Sequence, residues 1–246
     1  MTDVGIVGGG PAGLFAGNVL ARVGIDCVVF ERLGEEAVRA RARAGLVEHR
    51  TARLLETHGL AEGMLTRGKT LGACEFRRGG RSHLFDYARL SHGLHYVYPQ
   101  QLLVADLIDA LRSVGGEIRF GTPVEAIDVG DRPAILLADG TSVDCGVVLG
   151  CDGFHGVSRP AATGTVCAGV DFGAEWLALL ADAPPSSQHQ IYGLHPDGFA
   201  GHMHRTATTS RFYLQVDIGS SCSWHALGKP PTPCSTKASG TPGSLA

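Results

Sequence analysis

The chain has 246 residues, of which 44% are apolar and 18% charged, enough apolar matter for a real core and too little charge for a disordered polyelectrolyte. Twenty-one Lys and Arg against 24 Asp and Glu leave a net charge of −3, which gives no bulk attraction toward nucleic acid or an anionic membrane. Glycine is the outlier: its 35 copies are about twice the usual share and follow no collagen period, which implies many tight turns or close approaches to a ligand.

The seven cysteines, Cys27, Cys74, Cys145, Cys151, Cys167, Cys222 and Cys234, show no C-x-x-C spacing. Neither a disulfide framework nor a zinc ribbon is indicated, and a reducing cytoplasm is the expected location. No apolar stretch approaches the roughly 20 residues of a membrane span. The N-terminus runs straight into a strand rather than a basic segment followed by an apolar one, so neither a targeting peptide nor a membrane partner is expected.

Taken along the chain, Asp3 to Val7 is an apolar strand that ends in Gly8-Gly9-Gly10-Pro11-Ala12-Gly13. Leu14 to Val23 has helical apolar spacing, stopped at Gly24, and Asp26 to Glu31 reads as a second buried strand. Strand, glycine turn, helix and strand make a βαβ unit, and its parallel strands predict an α/β sheet with helices on both faces. Arg32 to Gly45 is basic and alanine-rich, and Leu46 to His58 reads as a helix with Leu54 and Leu55 inward.

From Leu71 to Tyr87 the pattern changes to strand alternation around Gly79-Gly80, a hairpin inserted in the α/β part. Pro99 to Val114 is an amphipathic helix carrying Leu102, Leu103, Leu107 and Leu111, with Pro99 suited to its first turn. Several short strands follow between Glu117 and Asp144, turning at Asp139-Gly140, and Val147 to Leu149 leads into Cys151-Asp152-Gly153. Four further strands are expected at Trp176–Ala181, Gln188–Tyr192, Phe199–His204 and Arg211–Asp217. The organisation predicted is an α/β domain over 1–167, the start of a β-sheet domain over 168–219, and a tail over 220–246. That tail holds 16 Pro, Gly, Ser or Thr and no Asp or Glu, a composition without a folded element.

Gly8-x-Gly10-x-x-Gly13 lies between a strand and a helix, the context that a dinucleotide fingerprint needs: one glycine for the turn, one for approach of the pyrophosphate, one for helix packing. Glu31 ends the next strand, where a carboxylate can accept hydrogen bonds from ribose hydroxyls. Arg39, Arg41 and Arg43 alternate with alanines, which by itself describes either a solvated loop or a phosphate-neutralising one. Cys151-Asp152-Gly153 is by itself equally a turn or part of a site. His202-Met203-His204 puts two imidazoles on one face of a strand but brings no third ligand, so no metal site is expected.

Together GIVGGGPAG at the N-terminus, RARAGLVE at Arg41 to Glu48 and CDGFHGVSR at Cys151 to Arg159 resemble the class A flavoprotein aromatic monooxygenases, the 4-hydroxybenzoate 3-monooxygenase group. The resemblance continues through WLALLADAPP, IYGLHPDGFA and RTATTSRFYLQV, over about residues 3 to 217. It implies a GxGxxG FAD-binding Rossmann-like domain with an inserted β-rich substrate region. It also implies FAD as cofactor, NADPH or NADH as co-substrate, a small aromatic acid as substrate in aromatic compound degradation, and room for a homodimer in the full-length family form.

By that resemblance FAD is held by Gly8, Gly10, Ala12 and Gly13, by Glu31, by the loop Arg41-Ala42-Arg43-Ala44-Gly45-Leu46, by Gln100 and by Asp152. Gly153, Phe154, His155 and Arg159, with Arg32, are associated with the nicotinamide cofactor; arginines suit phosphates and Phe154 suits stacking. The substrate residues implied are Tyr192, Met203, His204, Arg205 and Tyr213, with Arg205 clamping a carboxylate. Tyr192 is the catalytic residue, hydrogen-bonded to the substrate hydroxyl so that its ionised, electron-rich form is favoured. Flavin carries the oxygen transfer and the protein orients and desolvates it.

Three departures from the family pattern stand out. Met203 replaces a serine that helps bind the carboxylate, and Leu71 replaces a histidine that relays the phenolic proton; neither side chain can do that task. Leu33 and Ala37 leave NADPH against NADH open. The later Gly-Asp motif of the family is absent, so a C-terminally truncated chain with weak FAD binding is expected. An inactive remnant, a flavin-binding module with uncoupled NAD(P)H oxidation, and an NAD-dependent dehydrogenase on the same fingerprint remain as alternatives.

Overall fold

The computed structural model describes residues 2–162, 164–166 and 168–217. The expected tail at 220–246, together with Cys167, Cys222 and Cys234, lies outside the described residues. The chain opens with β1 (Thr2–Val7), α1 (Pro11–Arg22), β2 (Cys27–Phe30) and α2 (Glu35–Ala40). Next come β3 (Leu46–Val47), α3 (His49–Thr57), α4 (Glu62–Arg67) and β4 (Lys69–Leu71). The hairpin β5 (Ala73–Arg78) and β6 (Arg81–Asp86) leads to α5 (Tyr87–Ser91), β7 (His95–Val97) and α6 (Gln100–Ser113). Then β8 (Glu117–Arg119), β9 (Val124–Asp128), β10 (Ala134–Leu137), β11 (Ser142–Gly150) and α7 (Ser158–Ala161) complete the first half. The last strands are β12 (Glu175–Ala181), β13 (Gln190–His195), β14 (Gly198–His204) and β15 (Ser210–Val216).

The fold is α/β. One six-stranded sheet runs β8-β2-β1-β11-β10-β9, parallel from β8 to β11 and antiparallel from there to β9. Side chains alternate across β1, so Ile6 and Val7 feed different cores. Ile6 packs with Leu14 of α1 and Leu107, Ile108 and Leu111 of α6; Val7 packs with Val28, Phe30, Ile135 and Cys145. Helix α1 lies close because Gly17 presents no Cβ to Leu111 and Val29, each 3.1 Å from where one would stand. Asn18, fully buried, bridges the two helices by donating to the Leu14 and Leu107 carbonyls, both at 2.9 Å.

The second six-stranded sheet runs β12-β15-β14-β13-β5-β6. Its β13-β5 pairing is parallel, with Tyr192 opposite Phe76, so the 71–87 hairpin forms one edge of the later sheet. A third, small sheet has the order β3-β7-β4.

Two local expectations change. Leu46 and Val47 form a strand rather than the start of a helix, and α3 begins at His49. Within α3 only Leu55 turns inward, in phase with Ala52, while Leu54 is 47% exposed; neighbours on a helix are about 100° apart and cannot share a narrow buried stripe. In α6 the inward stripe is wider, Leu103, Val104, Leu107, Ile108 and Leu111, and Leu102 lies on the opposite side of the helix and faces out. No helix among the described residues is long and apolar enough to cross a membrane.

Candidate cofactor and substrate site

The first cluster forms at the carboxyl ends of the parallel strands, where open α/β sheets bind ligands. Gly8 donates to the Phe30 carbonyl at 2.8 Å, and Cys151 donates to the Val7 carbonyl at 2.8 Å, which brings the ends of β1, β2 and β11 together. Gly8 has φ +107°, and a Cβ there would stand 2.6 Å from the Cys151 carbonyl oxygen. A Cβ on Gly13 would collide with the Gly8 carbonyl. Gly10 is different: a Cβ there meets nothing within 4 Å, so its open side faces the cavity. It caps α1, which has Pro11 in its first turn and no side-chain cap. The helix therefore presents unpaired N–H groups and a positive dipole end to whatever fills that space.

The cavity has a volume of about 600 Å³. Gly8, Gly10, Glu31, Arg32, Arg41, Arg43, Gln100, Asp152, Gly153, Phe154 and His155 all line it. Glu31 is oriented by its own main chain, accepting from Gly9 N at 2.8 Å through Oε2 and from Leu33 N at 2.9 Å through Oε1. Asp152 accepts from Ser158 N at 3.0 Å, a bond that folds the Asp-Gly turn back on α7. Gly153 has φ +82°. Arg159 stacks on the Phe154 ring at 4.3 Å, and His155 meets that ring edge-on at 4.9 Å.

Ala12, Gly13, Ala42, Ala44, Gly45, Leu46 and Arg159 are not on the cavity wall. Two of them anchor it. Gln100 N donates to the Ala44 carbonyl at 3.0 Å and Tyr98 N to the Gly45 carbonyl at 2.7 Å, which pins the 41–46 loop to the head of α6. The wall also contains Gly9, Gln101, Pro123 and Val124. Gln101 adjoins Gln100 and Gly9 lies inside the glycine run, whereas nothing local marks Pro123 or Val124.

The second cluster is on the later sheet. Tyr192, Gly201 and Tyr213 share one rung, so they face the same side, with Met203 two residues along. Tyr192 stacks on Phe76 at 5.3 Å and donates to Gln190 Oε1 at 3.3 Å. Burial and the nearby Cys74 push its phenol pKa up. His204 is on the opposite face, since it alternates with Met203, and the structure does not bring it to the two tyrosines. Leu71 is buried opposite His95.

Arg205 joins the two clusters. It is only 5% exposed and donates from Nη1 to the Arg43 carbonyl and from Nη2 to Gln101 Oε1, each at 2.7 Å. Gly45 makes room, because a Cβ there would stand 2.6 Å from Nη1. Arg211, stacked on Tyr213 at 5.0 Å, donates to the same Arg43 carbonyl at 2.8 Å. Burial and the neighbouring Arg211 lower the Arg205 pKa from its ordinary value. Among the described residues no group of three or more His, Cys, Asp or Glu is placed to hold a metal ion.

The family described as FAD binding domain matches residues 1–225, which runs past Asp217. The p-hydroxybenzoate hydroxylase of Acinetobacter baylyi is 33% identical over 227 residues, covering 88% of this chain and 55% of that protein. A rifampicin monooxygenase of Rhodococcus hoagii is 31% identical over 160 residues, 65% of this chain and 33% of that protein. Among solved structures, p-nitrophenol 4-monooxygenase PnpA from Pseudomonas putida DLL-E4 superimposes with a TM-score of 0.78 at 22% identity, over 90% of this chain and 59% of that one; at that identity the likeness is one of fold. The chain spans about half the length, or less, of the curated relatives it matches. With a family match over most of its length and a glycine loop, acidic strand end and Asp-Gly turn around one cavity, the chain belongs to the FAD binding domain family.

Proposed function

We propose that this chain carries the cofactor site and part of the substrate site of an FAD-dependent monooxygenase that hydroxylates a phenolic aromatic acid of the 4-hydroxybenzoate type, using NADPH or NADH and dioxygen. The observation that carries this reading is Arg205, whose guanidinium ties the tyrosine-bearing sheet to the loop that lines the cofactor cavity. FAD suits the residues present. The open side of Gly10 and the bare N-terminus of α1 suit a pyrophosphate, Arg41 and Arg43 add positive charge, and Glu31 keeps lone pairs for ribose hydroxyls. When bound, the flavin would accept a hydride from the nicotinamide cofactor and activate dioxygen.

The chain's own residues do the rest. Arg205 has further N–H groups beyond the two it has engaged, enough for a carboxylate. The raised pKa of Tyr192 keeps its phenol protonated, so it can turn from Gln190 and donate to a substrate phenolate oxygen. Arg32, Phe154, His155 and Arg159 form the nicotinamide side. A second reading, a flavin-binding module with uncoupled NAD(P)H oxidation, is favoured by the apolar Met203 and Leu71, which cannot bind a carboxylate or relay a proton.

The test is purification with absorbance spectroscopy, followed by turnover with 4-hydroxybenzoate. The monooxygenase reading expects flavin absorbance and formation of 3,4-dihydroxybenzoate. In a competent protein Arg205→Ala should raise KM by the equivalent of about 2–5 kcal/mol, and Tyr192→Phe should keep binding while shifting NAD(P)H oxidation toward hydrogen peroxide. Peroxide alone from the unaltered chain selects the second reading, and retention of only a nicotinamide cofactor overturns both.

A further inference from the structure

Arg39, Arg41 and Arg43 alternate in the sequence but do not share a task. Arg41 and Arg43 line the cofactor cavity, and Arg39 does not. Arg39 is turned onto α6 instead, where Nη2 and Nη1 donate to Asp109 at 2.5 and 3.4 Å, while its Nε donates to Glu35 at 2.9 Å. Glu35 also accepts two bonds from Arg112 of α6, at 2.7 and 2.6 Å. The Arg112 guanidinium lies over the Phe120 ring, 5.8 Å from its centre, which limits its freedom. Two arginines and two carboxylates thus form one run of charge-assisted bonds between α2 and α6, with a forked contact at each end.

An isolated exposed ion pair contributes little; forked contacts joined in a network contribute more. Here the network acts on an element that has little else to place it. Helix α2 has six residues, too few to be stable alone, and Val38 is its one buried residue. A single apolar contact fixes where a helix sits but not its rotation about its own axis. The bridges to Asp109 and Arg112 lie on the flank of α2 and fix that rotation. Because α2 runs directly into Arg41, its rotation sets where Arg41 and Arg43 emerge. The carbonyls of Arg43, Ala44 and Gly45 are held further on, by Arg205, Arg211 and the head of α6. Neither the Arg41 nor the Arg43 side chain is in an ion pair among the described residues, so both charges are uncommitted.

We propose that Glu35, Arg39, Asp109 and Arg112 are positioning residues for the cofactor, their network holding α2 so that Arg41 and Arg43 face the phosphate side of the cavity. The inference rests on FAD being the occupant of that cavity. Arg112 and Arg39 hold the Glu35 carboxyl below the ordinary carboxylate value, so the network is ionised at neutral pH. Its bonds are open to solvent and are screened by salt. FAD affinity therefore falls with ionic strength by two routes, directly at the phosphates and indirectly through α2.

The experiment compares the intact chain with Arg112→Met, Arg112→Lys and Glu35→Gln, by amide hydrogen exchange without cofactor and by quenching of added FAD fluorescence. Arg112→Met and Glu35→Gln are expected to speed exchange over residues 38–46 at least fivefold, with β1 and β2 unchanged, and to weaken FAD at least fivefold. Arg112→Lys should recover part of both effects. The double variant Glu35→Gln with Arg112→Met should bind FAD no more weakly than Glu35→Gln alone, since both remove the same bridge, and high salt should weaken FAD less in Arg112→Met than in the parent. FAD affinity of Arg112→Met equal to that of the parent would overturn the proposal even if α2 exchanged faster, as would unchanged exchange over 38–46. Failure of the flavin reading shows differently, as no FAD quenching by the unaltered chain, and it would take this proposal with it.

Discussion

The Arg205 guanidinium donates to the main-chain carbonyl of Arg43 across 162 residues of sequence, at 2.7 Å. The loop that lines the cofactor cavity is therefore held from two sides, by the head of α6 and by the end of β14.

Removing that strut should loosen the loop. Arg205→Met leaves the Gln101 amide oxygen without its donor and leaves Arg43 with Arg211 alone. Two charge-assisted bonds from a buried side chain predict a loss of about 2–3 kcal/mol. Arg205→Lys should recover less than half, because a single ammonium cannot reproduce the planar fork. Urea denaturation measures both, and stabilities equal to that of the unaltered chain would refute the strut.

Two glycines of one loop should respond differently. Gly8→Ala places a Cβ 2.6 Å from the Cys151 carbonyl in a left-handed conformation, a cost of about 2 kcal/mol or more that lowers the melting temperature. Gly10→Val meets no protein atom within 4 Å and has φ −81°, so it should fold within about 1 kcal/mol of the parent yet fail to quench added FAD fluorescence. A Gly10→Val protein that quenches FAD normally would remove this face from the cofactor site.

Asn18 holds α1 to α6 with two donated bonds in a fully buried position. Asn18→Ala should cost about 2–3 kcal/mol, since it removes both bonds between buried groups and leaves a small void between the helices. Asn18→Asp should be worse at neutral pH, because an ionised carboxylate can only accept and both partners are carbonyl oxygens. Circular dichroism melts of the pair rank them, and equal stability of the two would count against this account.

The imidazoles of His95, His202 and His204 all have pKa values lowered by burial. Their folded pKa lies below the unfolded value of about 6.5, so the unfolded chain binds more protons between the two. The stability they contribute is fully present above about pH 6.5 and declines as pH falls through the folded values. Denaturation midpoints between pH 8 and 5 should show this decline, and His204→Gln should flatten it. A midpoint independent of pH in that window would contradict the burial of these rings.

The glycine fingerprint and Glu31 were legible from spacing, because a strand, a tight turn and a helix in immediate succession leave the chain few ways to close a βαβ unit. The strands of the later sheet were legible for a similar reason, as alternation and Gly- or Pro-bearing turns are properties of neighbouring residues. The identity of the 41–46 loop and of Asp152 as cofactor-side groups needed the family resemblance, since alternating Arg and Ala or an Asp-Gly pair has the same local signature in a solvated turn.

What the sequence alone determined, then, was the order and type of most elements and the existence of a dinucleotide-type loop, all set by short-range sterics and periodicity. The tertiary structure decided the rest. It joined the 71–87 hairpin to β13, turned Leu55 rather than Leu54 inward, put His204 on the face away from Tyr192, and gave Arg205 to Arg43 and Gln101. Each of these depends on the register and packing of segments far apart in the chain. A shift of one residue in a strand reverses every side chain on it, and that choice is made by the whole buried surface at once.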